Sequence, residues 1–293
     1  MIETSTGRVL IIAGSDSSGG AGIQADIKAC AAFGAYSMTA VTAITAQNTL
    51  GVHKVELISP DMVRAQIEAC VEDIGVDVIK IGMLGSAAII RAVHELIEPL
   101  DATVVLDPVM VATSGDRLLE EEAVASMKEL LVPIADLVTP NVPEAEILTG
   151  LSVTDTDELS EAGEAILKMG SYAALMKGGH LDMKSIVDVL VSEDGASVMT
   201  GPRLHSRHTH GTGCTLASAT AAALALGANL DEAVSSARDY VFEAIRTAPK
   251  LGGGNGPLNH GLAMNLETGP EGSGDGGAPD QANPFAALKG LGG

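Results

Sequence analysis

Short apolar segments alternate with longer amphipathic segments along the chain. The apolar segments predict β-strands at residues 8–14, 37–45, 52–58, 77–82, 103–109, 135–141, 172–179, 186–191 and 196–200. The amphipathic segments predict helices at residues 19–35, 59–74, 86–100, 120–132, 142–150, 157–170, 213–226 and 231–247. Strands that alternate with helices of about 12 residues are typical of a mainly parallel sheet covered on both faces. The predicted fold class is therefore α/β.

Two of these segments have patterns that predict their surroundings. In the first helix, Ile23, Ile27, Cys30 and Ala31 recur at helical spacing, which predicts that they form its buried face. The segment 52–58 alternates apolar and polar residues, which predicts an exposed or edge strand.

Composition limits how the core is built and where the protein works. Hydrophobic residues make up 46% of the 293 positions, but aromatic residues only 2%, so aliphatic side chains and Met must fill the core. Cys30, Cys70 and Cys214 lie far apart without CxxC spacing, which argues against a disulfide framework or structural zinc and favours the reducing cytoplasm. No basic leader and no apolar run of about 18 residues is present, so neither a signal peptide nor a membrane span is expected.

The chain is strongly acidic. Its 17 Lys and Arg residues against 38 Asp and Glu residues give 17 − 38 = −21. This charge argues against nucleic acids and anionic membranes as partners. Any phosphate ligand would have to be held by backbone N–H groups, by a few placed cations and by a divalent metal.

Composition changes near the C-terminus. Between Gly269 and Pro284, 8 of 16 residues are Gly or Pro. Such a segment has too few apolar side chains to form an ordered core. We therefore expect one domain over residues 1–262 and a Gly/Pro-rich disordered tail over residues 263–293.

Polar residues follow several of the predicted strands. Asp107, Asn141 and Lys177 stand where three strands end, and Glu144 follows Asn141 with N-x-x-E spacing. Ligand sites in parallel sheets collect at the carboxyl ends of the strands. Two carboxylates suit Mg²⁺, and a lysine suits a phosphate, so the set indicates ATP-dependent phosphoryl transfer without a P-loop.

The segment "HTHGTGC" precedes the helix at 213–226. Gly211 and Gly213 allow a tight turn, and the free N–H groups of a helix start attract anions. Cys214 lies in the first turn, where the pKa of a thiol is lowered. A helix cap with a small buried Cys explains the same residues, and H-x-H at His208 and His210 invites zinc, although no second ligand pair exists at zinc spacing.

Two loops are candidates for substrate contacts. The loop "AGSDSSGGAGIQAD" contains four glycines, of which Gly19, Gly20 and Gly22 allow close approach of a ligand, and it ends at Asp26, a hydrogen-bond acceptor; it could equally be a flexible connection. Gln47 follows the second strand, where an amide suits the edge of a heteroaromatic ring or simply forms a turn.

Taken together, the motifs "AGSDSSGGAGIQADIK", "TAITAQNT", "KIGMLGS", "VLDPVMVATSGDRLL", "LVTPNVPEAEILTG", "MKGGH", "RHTHGTGCTLASA" and "GPLNH" resemble the hydroxymethylpyrimidine kinase and phosphomethylpyrimidine kinase family of thiamine biosynthesis. The resemblance implies a ribokinase-like three-layer α/β/α sandwich. It implies ATP and Mg²⁺, and 4-amino-5-hydroxymethyl-2-methylpyrimidine as a substrate phosphorylated twice. It also implies a homodimer.

The resemblance assigns roles to particular residues. Cys214 matches the catalytic base position, with Gly211 and Gly213 as the anion-binding turn. The remaining matches are Ala21, Asp26, Gln47, Met83 and Val109 for the pyrimidine, Asn141, Lys177, His210 and Thr212 for ATP, and Asp107 and Glu144 for the metal. Pyridoxal/pyridoxine kinase of the same fold and a pyrimidine-binding regulatory module without turnover remain alternatives.

Overall fold

A computed structural model describes residues 6–110 and 119–262. Within these ranges the strands are Arg8–Asp16 (β1), Tyr36–Asn48 (β2), Gly51–Leu57 (β3), Val78–Ile81 (β4), Thr103–Leu106 (β5), Leu137–Val138 (β6), Ala173–Lys177 (β7), Ser185–Ser192 (β8) and Gly195–Pro202 (β9). The α-helices are Gly22–Phe33 (α1), Pro60–Asp73 (α2), Ala87–Ile97 (α3), Glu121–Ser126 (α4), Val142–Thr149 (α5), Thr156–Lys168 (α6), Thr212–Ala225 (α7) and Leu230–Arg246 (α8). The predicted tail at 263–293 lies outside the described residues.

All of these strands form one sheet, in the order β3-β2-β1-β4-β5-β6-β7-β8-β9. The six strands from β2 to β7 in that order are parallel, whereas β3 at one edge and β8 and β9 at the other pair antiparallel to their neighbours. The carboxyl ends of the parallel strands therefore meet along one edge of the sheet, where ligand sites collect in such folds.

Helices cover both faces of the sheet. Along β1, Leu10 and Ile12 belong to the core under α2 to α6, while Val9 and Ile11 belong to the core under α1, α7 and α8. Successive side chains of a strand point to opposite faces, so an all-apolar strand fills two cores at once. The three-layer α/β/α sandwich predicted from the sequence is confirmed.

Helix α7 lies between the sheet and two other helices. Every residue from Thr215 to Ala223 is buried, and most are Ala, Ser or Thr. Small side chains let a helix approach neighbours closely on several sides, whereas an amphipathic surface helix has only one apolar stripe. The Ala-rich sequence of α7 is therefore the composition of a central helix, and it fixes the start of α7 inside the protein.

The predicted buried face of α1 is right at Cys30, which is buried, and at Ile23, which packs against the core, but wrong at Ile27 and Ala31, which are exposed. The other buried residues of α1 are Ala25, Asp26 and Ala29. The apolar pattern failed because Asp26 is held inside by charged and polar partners, which turns the helix away from the face that Ile27 would choose.

In two predicted elements the regular strand or α-helix is shorter than expected. The strand predicted at 135–141 is reduced to β6, because Pro140 has no N–H and Asn141 begins the next helix as its cap. The helix predicted at 120–132 is α-helical only through α4 and continues as a π-helical turn and a 3-10 turn up to Ile134, with Pro133 in the last turn. Among the described helices, none is long and apolar enough to cross a membrane.

Candidate active site

A cavity of about 730 Å³ opens at the carboxyl ends of the parallel strands. Its wall is built from the ends of β1, β2, β4 and β5, from the start of α5, and from the turn before α7. Among the residues predicted from the sequence, the lining contains Ala21, Gln47, Met83, Asp107, Val109, Asn141, Glu144, Lys177, His210, Gly211, Thr212, Gly213 and Cys214. Asp26 is fully buried behind this wall.

Lys177 and Asp107 face each other inside the cavity. The Nζ atom of Lys177 donates a hydrogen bond to Oδ1 of Asp107 over 3.0 Å, and the hydroxyl of Thr139 donates to the same oxygen over 3.2 Å. Burial alone would lower the pKa of Lys177, but Asp107 and Glu144 raise it, so Lys177 stays charged. The pair is a prearranged cation and carboxylate at the ends of β7 and β5, the two strands on either side of β6.

Glu144 and Asn141 form a capping box at the start of α5. The backbone N–H of Asn141 donates to Oε2 of Glu144 over 2.9 Å, and the N–H of Glu144 donates to Oδ1 of Asn141 over 3.0 Å. Burial raises the pKa of Glu144 to about 7, with Asp107 adding to the effect and Lys177 opposing it. A cation beside Glu144 would favour its ionised form.

Gly211 allows the turn before α7 to reach the first loop. Its φ of +81° is one that residues with a side chain rarely adopt, and a Cβ there would lie 1.9 Å from the carbonyl oxygen of Gly20. The hydroxyl of Thr212 donates to the carbonyl of Thr209 over 2.7 Å, which stabilises the turn. The N–H of Thr212 donates to the carbonyl of Thr209, which leaves the N–H groups of Gly213 and Cys214 in the first turn of α7 to bind an anion at the cavity wall.

Cys214 lies in the first turn of α7, but the prediction that its pKa is lowered was wrong. Burial raises the pKa of the thiol to about 12; Lys80 acts in the opposite direction, and the carboxylates of Asp26 and Asp107 add to the rise. The helix start attracts a thiolate, yet the enclosed position between two carboxylates favours the neutral thiol. In the ligand-free protein Cys214 is therefore protonated at neutral pH.

Lys80 is a site residue that sequence reasoning missed. It is fully buried on β4, lines the cavity, and donates from Nζ to Oδ1 of Asp26 over 3.0 Å. The hydroxyl of Ser218 donates to the same oxygen over 2.7 Å. A lone lysine inside the apolar run "DVIKIG" was a usable signal, because a charge in a strand buried on both faces needs a partner.

Burial affects both charges of this pair. It would lower the pKa of Lys80, but Asp26 and Asp107 raise it, so the lysine stays charged. It raises the pKa of Asp26, while Lys80 and Ser218 act in the opposite direction and favour the ionised carboxylate. Among the described residues, Oδ2 of Asp26 has no hydrogen-bond partner.

Asp16 is the second missed residue. Its Oδ2 lies 2.8 Å from Nε2 of His210, and it also accepts the backbone N–H groups of Gly20 and Ala21. Burial alone would raise the pKa of Asp16, but His210, the hydroxyl and backbone N–H of Ser18 and the backbone N–H of Ala21 lower it to about 2. Asp16 therefore joins the first loop to the turn before α7.

Gln47, Met83 and Val109 also line the cavity and are together called here the pyrimidine wall. Oε1 of Gln47 accepts the hydroxyl of Thr45 over 3.1 Å, and its Nε2 lies 3.5 Å from Nε2 of His210. Apolar side chains beside one amide suit a small heteroaromatic ring.

Lys177, Asp107 and the backbone N–H groups of the turn before α7 together fit a nucleoside triphosphate with Mg²⁺. A Cβ on Gly213 would lie 3.1 Å from Nζ of Lys177 and 3.6 Å from Oδ2 of Asp107, so the bare turn leaves a cradle between a cation, a carboxylate and backbone donors. In residues 6–110 and 119–262, no group of three His, Cys, Asp or Glu side chains could hold a metal by itself. Mg²⁺ usually takes only one or two carboxylates and completes its shell with water and phosphate oxygens.

Known proteins resemble this chain over most of its length. The model of a protein family described as phosphomethylpyrimidine kinase matches residues 16–259. A hydroxymethylpyrimidine/phosphomethylpyrimidine kinase of Streptomyces coelicolor is 47% identical over 256 residues, which cover 87% of this chain and 95% of that protein. A thiamine biosynthesis bifunctional protein of Geobacter sulfurreducens is 49% identical over 260 residues; this chain covers 53% of it, about half its length.

Solved structures match the fold as well. The crystal structure of phosphomethylpyrimidine kinase from Clostridium difficile aligns with a TM-score of 0.74 and 45% identity, covering 81% of this chain and 99% of that one. The structure of pyridoxal kinase from Staphylococcus aureus in complex with AMP-PCP and pyridoxal aligns with a TM-score of 0.83 and 36% identity, covering 90% of this chain and 96% of that one.

The buried pair predicts a large, pH-dependent effect of Lys80→Met. Leaving the Asp26 carboxylate uncompensated should lower the free energy of unfolding by about 3–5 kcal/mol near neutral pH. Without Lys80 the folded-state pKa of Asp26 lies further above its unfolded value, so the deficit should shrink as the pH falls and Asp26 takes a proton. Urea unfolding at several pH values measures this.

Lys54→Met is the matched control, because Lys54 forms an exposed pair with Glu56 on β3. Its effect on the free energy of unfolding should stay within about 1 kcal/mol at every pH. An equally small effect of Lys80→Met would contradict the assigned role of the buried pair.

The raised pKa of Cys214 predicts slow alkylation of the ligand-free protein. The rate of iodoacetamide labelling should rise about tenfold per pH unit up to the highest pH at which the protein stays folded, because only the thiolate reacts. Peptide mass mapping separates Cys214 from Cys70 and from the buried Cys30. A plateau in the Cys214 rate near neutral pH would restore the original prediction of a thiolate.

Proposed function

The chain belongs to the phosphomethylpyrimidine kinase family, and on that premise we propose that it transfers phosphate from ATP to 4-amino-5-hydroxymethyl-2-methylpyrimidine and then to the monophosphate, giving the diphosphate used in thiamine biosynthesis. The observation that carries the proposal is a cavity lined both by the glycine turn before α7 with Lys177 and Asp107, and by Gln47 with Met83 and Val109. The first set suits phosphates, and the second suits a ring.

The pyrimidine ring lies, in this proposal, between Met83, Val109 and Ala21, with its polar edge on the amide of Gln47. An amide offers both a donor and an acceptor, which matches the alternating ring nitrogen and exocyclic amine of an aminopyrimidine. Asp26 is fully buried, so it does not contact the ring itself. It acts by holding Lys80, which lines the cavity.

The phosphates of ATP are held by Lys177, by the N–H groups of Gly213 and Cys214, and by the turn residues His210 and Thr212, with Asn141 at the start of α5. Asp107 and Glu144 would hold Mg²⁺, which when bound neutralises phosphate charge. A chain of net charge −21 has few Lys and Arg residues, so backbone N–H groups provide much of the phosphate binding.

Cys214 orients the acceptor hydroxymethyl group. With a pKa raised to about 12, the thiol is neutral, and its sulfur accepts a hydrogen bond from the hydroxyl whose oxygen attacks the γ-phosphate; the hydroxyl proton passes late in the transfer to an oxygen of the phosphoryl group. Phosphoryl transfer has a loose transition state in which positioning and electrostatics matter more than early removal of the proton. A thiol also adds no fixed negative charge beside the triphosphate, whereas a carboxylate would.

The second candidate is pyridoxal/pyridoxine kinase. The pyridoxal kinase from Staphylococcus aureus shares the fold with this chain at 36% identity, and a pyridine alcohol would also fit an apolar slot. The identity to proteins named for the pyrimidine substrate is higher, at 47% for the Streptomyces coelicolor kinase. We therefore favour the pyrimidine alcohol.

The protein is also proposed to act as a cytoplasmic homodimer. Three exposed apolar side chains lie at one edge of the sheet: Ile44 on β2, Leu50 on the turn that follows it, and Leu57 on β3. Covering such a surface with a second copy removes apolar area from water and protects an edge strand. Light scattering on the purified chain, with Leu57→Lys as a disrupting variant, tests the dimer.

The proposed reaction predicts ADP release that depends on the pyrimidine alcohol. With Mg-ATP we expect a higher kcat/KM for 4-amino-5-hydroxymethyl-2-methylpyrimidine than for pyridoxine, and both the monophosphate and the diphosphate as products. Asp107→Asn should lower kcat by about 10²-fold or more, because it removes a carboxylate that would hold Mg²⁺ and that positions Lys177. A coupled assay with mass detection measures both quantities.

A higher kcat/KM for pyridoxine would transfer the assignment to the second candidate. No ADP release with either alcohol would favour a regulatory module that binds without turnover.

The role of Cys214 predicts a split between binding and turnover. Cys214→Ala should lower kcat by about 10- to 100-fold, because orientation of the acceptor is lost, while the Kd of the pyrimidine alcohol stays within about threefold. Cys214→Ser keeps a hydroxyl and should retain more activity than the alanine variant. Single-turnover kinetics and calorimetry measure the two quantities, and near-wild-type kcat in Cys214→Ala would refute the role.

A further inference from the structure

Residues 254–260 lie behind the cavity lining and contribute no residue to it. This stretch, called here the 254–260 segment, follows α8 and has the sequence "GNGPLNH". It contacts the turn before α7, the start of α7 and Thr49 near Gln47, although the proposed reaction assigns the segment no part.

The segment contacts the turn before α7 on its N-terminal side. The backbone N–H of His210 donates to the carbonyl of Gly256 over 3.1 Å, and His210 pairs with Pro257 as in a parallel sheet. His210 is also the residue that Asp16 holds. The entry to the anion-binding turn is thus fixed by the segment and by the first loop together.

The segment contacts α7 again just after the turn. Nε2 of His260 hydrogen-bonds with the hydroxyl of Thr215 over 2.9 Å, and both side chains are buried. Burial and Lys28 lower the pKa of His260 to about 4, so the imidazole is neutral at physiological pH. The hydroxyl of Tyr240 donates to the carbonyl of His260 over 3.0 Å, which anchors this end to α8.

The same segment contacts the wall that carries Gln47. The N–H of Asn255 donates to the carbonyl of Thr49 over 2.8 Å, and the N–H of Gly254 donates to its hydroxyl over 3.3 Å. Thr49 stands two residues after Gln47. A Cβ on Gly254 would lie 2.0 Å from the carbonyl oxygen of Thr49, so this contact is possible only for glycine.

We propose that the 254–260 segment positions the anion-binding turn Gly211–Cys214 against the pyrimidine wall, with His260 acting as a positioning residue through Thr215. The proposal rests on the proposed kinase function, which needs these two walls at a fixed distance. Contacts at His210 and Thr215 flank the turn on both sides, and contacts at Thr49 fix the end of the stretch that carries Gln47. A displacement of about 1 Å between reacting groups can lower a rate about 10²-fold.

The first test separates turnover from binding. Thr215→Val is nearly isosteric and removes only the hydroxyl. Thr215→Val and His260→Phe should each lower kcat by about 10- to 100-fold, while the Kd of the pyrimidine alcohol stays within about twofold. Thr215→Ser and His260→Gln keep a polar partner and should recover most of the activity.

A double-mutant cycle tests the route through Thr215. If His260 acts through this hydroxyl, the variant carrying both Thr215→Val and His260→Phe should be no slower than the slower single variant. Additive losses of kcat, or losses that follow only the melting temperature and are not recovered by His260→Gln, would overturn the proposal. If His260→Phe does not fold, Thr215→Val with Thr215→Ser decides alone.

Alkylation of Cys214 provides a readout that does not need turnover. In Thr215→Val the turn loses one of its two supports, so the labelling rate of Cys214 should rise at least about threefold while that of Cys70 is unchanged. An unchanged Cys214 rate would contradict the role of the hydroxyl. If the wild-type chain releases no ADP with either alcohol, the proposed function fails, but this labelling comparison still decides whether the segment holds the turn.

A matched pair of glycine variants tests the contact with the pyrimidine wall. Gly254→Ala should weaken binding of the pyrimidine alcohol by about tenfold or more, because the new Cβ displaces Thr49 and the wall beside it. Gly253→Ala is the control, since its Cβ would meet only Leu50 at an ordinary 3.7 Å and should leave the Kd unchanged. Equal Kd values for the two variants would overturn this part of the proposal.

Discussion

The buried ion pair of Lys80 and Asp26 is the interaction on which the arrangement of the site depends. One carboxylate oxygen accepts Lys80 from β4 and Ser218 from α7, so a single group on α1 joins a strand and two helices. Ser218 stands one helical turn after Cys214 on the same side of α7. The pair therefore fixes the rotation of α7, which in turn aims its first turn at the cavity. Charges without water must be paired, and that requirement makes the geometry rigid.

A second consequence concerns charge inside an acidic protein. The cavity contains Asp16, Asp107 and Glu144, and each is held by a specific partner: His210, Lys177 and the backbone of Asn141. Backbone N–H groups add attraction for anions without adding a titratable group. In this environment a neutral thiol at Cys214 keeps the phosphate end of the cavity from becoming more negative, which a carboxylate at that position would not do.

Sequence patterns predicted the strands and helices well where local periodicity was strong. They also predicted that Asp107, Asn141 and Lys177 would meet, because parallel strands end at one edge. They failed for part of the face of α1, since the apolar pattern counted Ile27 and could not count a charge that finds a partner 54 residues along the chain. They missed Lys80 for the same reason, although its position within an apolar strand was a readable signal.

What the sequence determined by itself was the alternation of elements, the glycine turn at a helix start, the family and the polar residues at strand ends. These are local properties, encoded in spacing and residue type. Only the tertiary structure decided the protonation of Cys214, the partner of Asp26 and the contact between His260 and Thr215. A pKa depends on burial and on neighbouring charges, and a hydrogen bond between residues 45 positions apart depends on how helices pack. Neither can be read from spacing, because both are set by distances through space.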